Sequence, residues 1–174
     1  PLDSAKDSSG NVYALEAWDT IKVFDSSGTY LRTIGGRGSS CNRWYYANQI
    51  AIYNDQIYVA DQWLHKIKVI DLNGNCIKSI YLGSSGNYYP TGIAVGSSYI
   101  YVSYGWYKGR ITIHNTSNLS LVKTFTDSSR LYYNYYVDLN SSENALIVSN
   151  FYSWGGRKPV VKYTVSGSTL SYST

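Results

Sequence analysis

Methionine is absent from this chain of 174 residues, and cysteine, histidine, proline and phenylalanine are scarce: two Cys, two His, three Pro and three Phe. Glutamate occurs only as Glu16 and Glu143. Each shortage excludes something. His65 and His114 cannot supply the three or four ligands of a histidine-rich zinc site. The cysteines, Cys41 and Cys76, lack metal-type spacing, which leaves one disulfide or two buried thiols open. No apolar run approaches the roughly 20 residues of a membrane helix. Net charge is only +4, pI about 8.9, and the charges are dispersed, which argues against a dedicated nucleic-acid binder. The chain opens at Pro1 without an initiator Met. A processed, trimmed or incomplete product is therefore expected, with any signal peptide lying ahead of Pro1.

What remains is β and turn composition, with 20 Tyr and 15 Gly among abundant Ser, Asn, Ile and Val. The clearest stretch is Ile57–Ile80. Ile57–Ala60 reads as a strand and Asp61–Lys66 breaks it. Ile67–Asp71 then alternates apolar and polar as a half-buried strand does. Asn73-Gly74 is a hairpin signal, because both residues tolerate positive φ, and Cys76–Ile80 is the return strand.

This unit recurs. Val12-Tyr13-Ala14, Ile57-Tyr58-Val59, Ile100-Tyr101-Val102 and Leu146-Ile147-Val148 stand 45, 43 and 46 residues apart. A third strand follows each, at Ile21–Phe24, Ile67–Ile70, Ile111–His114 and Val160–Tyr163. An outer strand follows that, at Tyr30–Ile34, Cys76–Ile80, Leu121–Phe125 and Thr169–Ser173. The first strands are Leu2–Lys6, Gln49–Ile52, Gly92–Val95 and Tyr136–Leu139. Four short strands per unit of about 44 residues cannot bury both faces alone, but radially stacked copies can. The expected fold is all-β, a β-propeller of four four-stranded antiparallel blades. It is expected to form a single domain over 1–174, with repeats of roughly 1–46, 47–89, 90–133 and 134–174. Asp25 and Asp71, at matching turns, are expected to cap them through side-chain-to-backbone bonds.

The segments Pro90-Thr91-Gly92-Ile93-Ala94-Val95 with Tyr101-Val102, and Tyr58-Val59-Ala60-Asp61 with Lys66–Asp71 and Gly74, resemble the NHL-repeat pattern. Val12-Tyr13-Ala14 with Ile21–Asp25 and Gly28 resembles it too. The resemblance spans the chain and is loosest in the fourth unit. It implies a propeller, and a family that includes RNA binders, protein scaffolds, extracellular sensors and some lyases or lactonases. Such propellers usually have about six blades. Four units, in phase from Pro1 to the last outer strand, leave three arrangements open: a ring closed by packing alone, a piece of a larger ring, or one member of an assembly. Cys41 falls in a blade-to-blade loop and Cys76 at the start of an outer strand. These predict opposite ends of the disc, which argues against a bond.

One Trp recurs per unit. Trp18, Trp63, Trp106 and Trp154 follow Tyr13, Tyr58, Tyr101 and Ile147 by five, five, five and seven residues. That loop shares a propeller face with the blade-to-blade connections, which carry Tyr45-Tyr46, Tyr88-Tyr89 and Tyr132-Tyr133. Arg37, Arg43, Arg130 and Arg157 are expected on the same face. Flat rings with Arg nearby stack on sugars or bases, or anchor a protein partner. The plainer reading is that each Trp seals the core between blades, and that one Tyr of each pair is core.

Nothing favours catalysis. Gly35-Gly36-Arg37-Gly38 opens no helix, so it is a loop and not a phosphate cradle. Only Asp3 and Asp138 put carboxylates on inner strands, a thin basis for a channel calcium ion. The expectation is therefore no catalytic residue, no metal and no cofactor. Lys22, Lys68 and Lys162 are expected to point outward as a solvated edge and not to line an RNA path. Three sequons, at Asn115, Asn118 and Asn140, and a Tyr-rich, Lys-poor composition point to an extracellular or cell-surface glycoprotein. The expected function is non-enzymatic recognition or scaffolding. A glycan or protein would bind through Trp18, Trp63, Trp106, Trp154, Arg43 and Arg130. The alternative is a structural subunit of a surface assembly or filament. An RNA binder or a propeller lyase or lactonase ranks below both.

Overall fold

The computed structural model describes residues 2–16, 19–83, 89–105, 109–150 and 159–173. The candidates Trp18, Trp106 and Trp154, and also Tyr88 and Arg157, lie outside the described residues. Among those described there is no helix, hence none long and apolar enough to cross a membrane.

Among the described residues, sixteen strands form four antiparallel meanders, each ordered as the chain runs. The first blade is β1 (Asp3–Lys6), β2 (Val12–Glu16), β3 (Thr20–Phe24) and β4 (Tyr30–Gly35). The second is β5 (Ala47–Tyr53), β6 (Gln56–Asp61), β7 (Lys66–Asp71) and β8 (Cys76–Tyr81). The third is β9 (Pro90–Val95), β10 (Tyr99–Tyr104), β11 (Arg110–Asn115) and β12 (Leu121–Thr126). The fourth is β13 (Asn134–Leu139), β14 (Ala145–Asn150), β15 (Val160–Ser166) and β16 (Thr169–Ser173).

Two compact units divide the chain, Pro1–Ser84 and Ser85–Thr174, with two blades each. In the first, Tyr13, Leu15, Ile21 and Val23 of blade 1 pack with Ile50, Ile57, Val59 and Ile70 of blade 2 around the indole of Trp44. In the second, Tyr101, Ile111 and Ile113 pack with Val137, Leu146, Val148, Val161 and Tyr163 around Leu131. Strand alternation explains both sets, since residues two apart share a face.

Turns are set by short polar side chains. Asp25 Oδ1 accepts the N–H groups of Ser27 and Thr29 (2.9 and 2.8 Å), and Asp71 Oδ1 those of Asn73 and Asn75 (2.9 and 2.8 Å). Both therefore cap as expected. Asp7 does the same for Ser9 and Asn11, and Asn140 for Asn144 and Ala145. The Asn73-Gly74 turn departs from the expected form. Only Gly74 is left-handed (φ 89°), because the Asp71 cap draws in one residue more than a two-residue turn holds. The two-residue turn with both φ positive occurs instead at Asn54-Asp55 (49° and 53°), between β5 and β6.

Candidate recognition site

The connection from β4 to β5, residues 36–46, is held from inside. Trp44 is fully buried at the blade 1–blade 2 core, and Gly35 makes room for it: a Cβ there would lie 2.3 Å from the indole Cη2. In the second unit, Leu131 is buried at the matching place, where a Cβ on Gly109 would meet its backbone oxygen at 2.4 Å. For Tyr45-Tyr46 and Tyr132-Tyr133 this corrects the expectation that one Tyr of each pair is core; Tyr88 lies outside the described residues. Tyr45, Tyr132 and Tyr133 are half-buried and Tyr46 is exposed. In these two linkers the buried plug is the residue before the pair, Trp44 or Leu131.

A second correction concerns Lys68. By alternation Ile57, Val59 and Asp61 share one face of β6, and the register sets Lys68 opposite Val59 on that face. Its ammonium lies 3.0 Å from Asp61 Oδ2, and both side chains are wholly buried. Lys68 Nζ donates to the backbone oxygens of Ser40 (2.9 Å) and Arg43. Asp61 Oδ1 accepts from Tyr45 N (3.2 Å) and Leu64 N (3.1 Å). A lone buried charge would be prohibitive, so each group exists because the other and the linker carbonyls receive it. Burial pushes the Asp61 carboxyl up and the Lys68 ammonium down, against their mutual attraction. Of the other two lysines, Lys162 is exposed and Lys22 pairs with Glu16 (2.8 Å), half-exposed on blade 1.

The same anchoring corrects the cysteine expectation. With the carbonyls of Ser40 and Arg43 drawn onto Lys68, Cys41 reaches the first residue of β8. Cys41 and Cys76 form a disulfide, with Cα atoms 5.4 Å apart.

Asp61 thus ties the linker to the β6–β7 loop, and the two segments meet at their tips. Trp63 N donates to Tyr45 O (3.3 Å). The rings of Tyr46 and Trp63 lie 5.7 Å apart at 35°. Asn48 Nδ2 donates to Gln62 Oε1 (2.7 Å). Trp63 is 63% exposed and Tyr46 42%, so Trp63 does not seal a core. Arg37 lies over the Tyr45 ring, 5.4 Å from its centre. Arg43 is exposed, its side chain laid along Gly36 and Gly38.

Arg130 belongs to the second unit. It pairs with Asp127 (3.1 Å) and covers the Tyr172 ring at 4.2 Å, while Tyr163 donates its hydroxyl to Asp127 (3.0 Å). Burial foremost, then the Asp127 charge, drives the Tyr163 hydroxyl far above its ordinary range. Of the sequon residues, Asn118 and Asn140 are exposed and Asn115 half-buried. Asp3 accepts the Ile50 N–H (2.9 Å) and Asp138 is exposed. Among the described residues, no three His, Cys, Asp or Glu side chains gather as a metal site would require.

No family model matches this chain, and no curated protein does. Among solved structures it is similar to a chain of hydrazine synthase from Kuenenia stuttgartiensis, with a TM-score of 0.74 and 14% identity. That likeness covers 98% of this chain and 47% of the other, so this chain spans about half its length. With the four meanders it shows the fold class: all-β, a propeller of four-stranded antiparallel blades. At this identity the likeness carries fold and no activity.

Proposed function

We propose that this chain is a non-enzymatic extracellular recognition module built of NHL-like repeats, which binds a glycan or protein through the face bearing Trp63. One observation carries the reading: a large aromatic pair, Trp63 on Tyr46, stands exposed on segments anchored from below by a buried ion pair. Exposed rings held rigidly offer contact area without an ordering cost on binding. By recurrence in the sequence, Trp18, Trp106 and Trp154 are further candidates, as are the cations Arg43 and Arg130. The disulfide and the exposed Asn118 and Asn140 sequons favour an extracellular setting and a glycoprotein.

Binding of the labelled protein to intact cells, followed by flow cytometry with and without glycosidase treatment, tests this. Trp63→Ala is expected to lose binding by about tenfold or more, as loss of an aromatic anchor does. Undiminished binding by that variant, with an unchanged circular dichroism spectrum, would refute the reading.

The second reading, a structural subunit of a surface assembly, rests on the outer strands. Leu31 of β4, Ile77 of β8, and Leu121 and Val122 of β12 are exposed on strands with no further partner in their sheets. Light scattering separates the two: an assembly subunit would show a concentration-dependent mass that Leu121→Lys and Val122→Lys reduce.

A further inference from the structure

Beside the aromatic pair stand two amides. Asn48 is 94% buried, given its 6% exposure, and Gln62 is half-buried. Each uses one polar atom in the bond between them. The Asn48 carbonyl oxygen and the Gln62 amide nitrogen have no partner among the described residues. One acceptor and one donor are therefore left side by side. The count survives either amide assignment, since turning both amides swaps the roles and leaves one of each. Gln62 precedes Trp63, and Asn48 follows Tyr46 by two residues, so the amides border the ring pair. Of the nearby charges, Asp61 pairs with Lys68, Arg37 lies over Tyr45, and Arg43 is exposed along its own loop.

We propose that Trp63, Tyr46, Asn48 and Gln62 form a binding site for a neutral saccharide. A pyranose presents a C–H face that packs on aromatic rings and an edge of hydroxyls that both donate and accept. A donor next to an acceptor suits two adjacent hydroxyls of such a ring. The polar groups beside the rings are two neutral amides, which suit an uncharged ring better than an anionic sugar or a nucleotide. The inference rests on the recognition reading above and narrows its ligand.

The test follows the Trp63 indole N–H resonance in ¹⁵N-labelled protein, assigned by its disappearance in Trp63→Phe. Cellotetraose, mannotetraose and chitotetraose are titrated separately, with a heparin tetrasaccharide as the anionic comparison. At least one neutral sugar is expected to shift the resonance saturably, and more tightly than the heparin fragment. Gln62→Ala is expected to weaken binding about tenfold, the value of one hydrogen bond. Asn48→Ala should act likewise. Gln62, being half-buried, keeps the test valid if the Asn48 variant fails to fold. No saturable shift with any neutral sugar overturns the proposal. So does tighter binding of heparin, or wild-type affinity in Gln62→Ala. If Trp63-dependent cell binding persists while the neutral sugars fail, this inference falls and the recognition reading stands. If Trp63→Ala leaves cell binding intact, the recognition reading falls first.

Discussion

Asn150, at the end of β14, occupies the place that Asp61 holds at the end of β6. Its Oδ1 accepts from Tyr132 N (3.1 Å) as Asp61 Oδ1 accepts from Tyr45 N, and its Nδ2 donates to Arg130 O (2.9 Å) as Lys68 donates to Arg43 O. One neutral amide thus does in blade 4 what a buried ion pair does in blade 2. Val161, paired with Val148, stands where Lys68, paired with Val59, does. The corresponding residues of blade 3, Tyr104 and Thr112, share a hydrogen bond of 2.8 Å. This equivalence predicts an outcome. Lys68→Ala strands the Asp61 carboxylate and is expected to cost about 3–5 kcal/mol. The double variant Asp61→Asn with Lys68→Val copies blade 4 and is expected to recover most of that in urea denaturation. A double variant as unstable as Lys68→Ala would break the equivalence. Blade 3 offers a second residue-scale prediction. His114 is buried, and only an N–H can meet the Leu119 carbonyl 3.1 Å from Nδ1, so Nε2 is left to accept from the Thr112 hydroxyl at 2.9 Å. Burial holds the imidazole below its ordinary value despite that carbonyl. Below about pH 6.5 the unfolded chain therefore binds the proton that folded His114 refuses, so stability falls as pH drops through that value. His114→Gln keeps the hydrogen-bonding capacity without the titration, and its stability is expected to vary less between pH 7.5 and pH 5.5. Equal slopes in both proteins would contradict it.

Strands and caps form the next scale, and they were legible in the sequence because their causes are local. Alternation fixes which side of a strand is apolar, and Asp or Asn at a turn satisfies the two or three backbone N–H groups that follow it. The period among Tyr13, Tyr58, Tyr101 and Ile147 therefore located all four sheets. The linker from β4 to β5 was not legible, because its path is set by partners distant in sequence. Lys68 in an alternating strand reads as a solvent-facing lysine, and only the carboxylate of Asp61 and two linker carbonyls reverse that. Trp44 escaped notice because its counterpart is Leu131, so no repeated residue type marks the plug. Recurrence placed Trp63 in a loop but left exposure and core-sealing both open; the amides beside it were not legible, since Asn48 and Gln62 have no repeated signature. The disulfide belongs to this linker. It closes a sequence separation of 35 residues, which in the chain-entropy account is worth about 3–4 kcal/mol. Replacing both cysteines by serine is expected to lower the urea midpoint accordingly. No change would mean that Lys68 and Trp44 already fix the linker without it.

At the scale of the whole chain, each unit has its own apolar core, and both cysteines lie in Pro1–Ser84. In repeat proteins stability is roughly a sum of unit terms and neighbour terms, so a loss confined to one unit need not spread evenly. Reducing the disulfide subtracts from the first unit alone, because Ser85–Thr174 contains no cysteine. Hydrogen exchange read peptide by peptide, before and after treatment with a phosphine reductant, measures where the loss goes. Peptides covering β2, β3, β6 and β7 are expected to lose protection on reduction. Those covering β10, β11, β14 and β15 are expected to keep theirs. The prediction turns on independence of opening and not on the size of the loss. If all eight strands lost protection to the same degree, the chain would open as one cooperative body. The division into two units would then describe packing without describing stability.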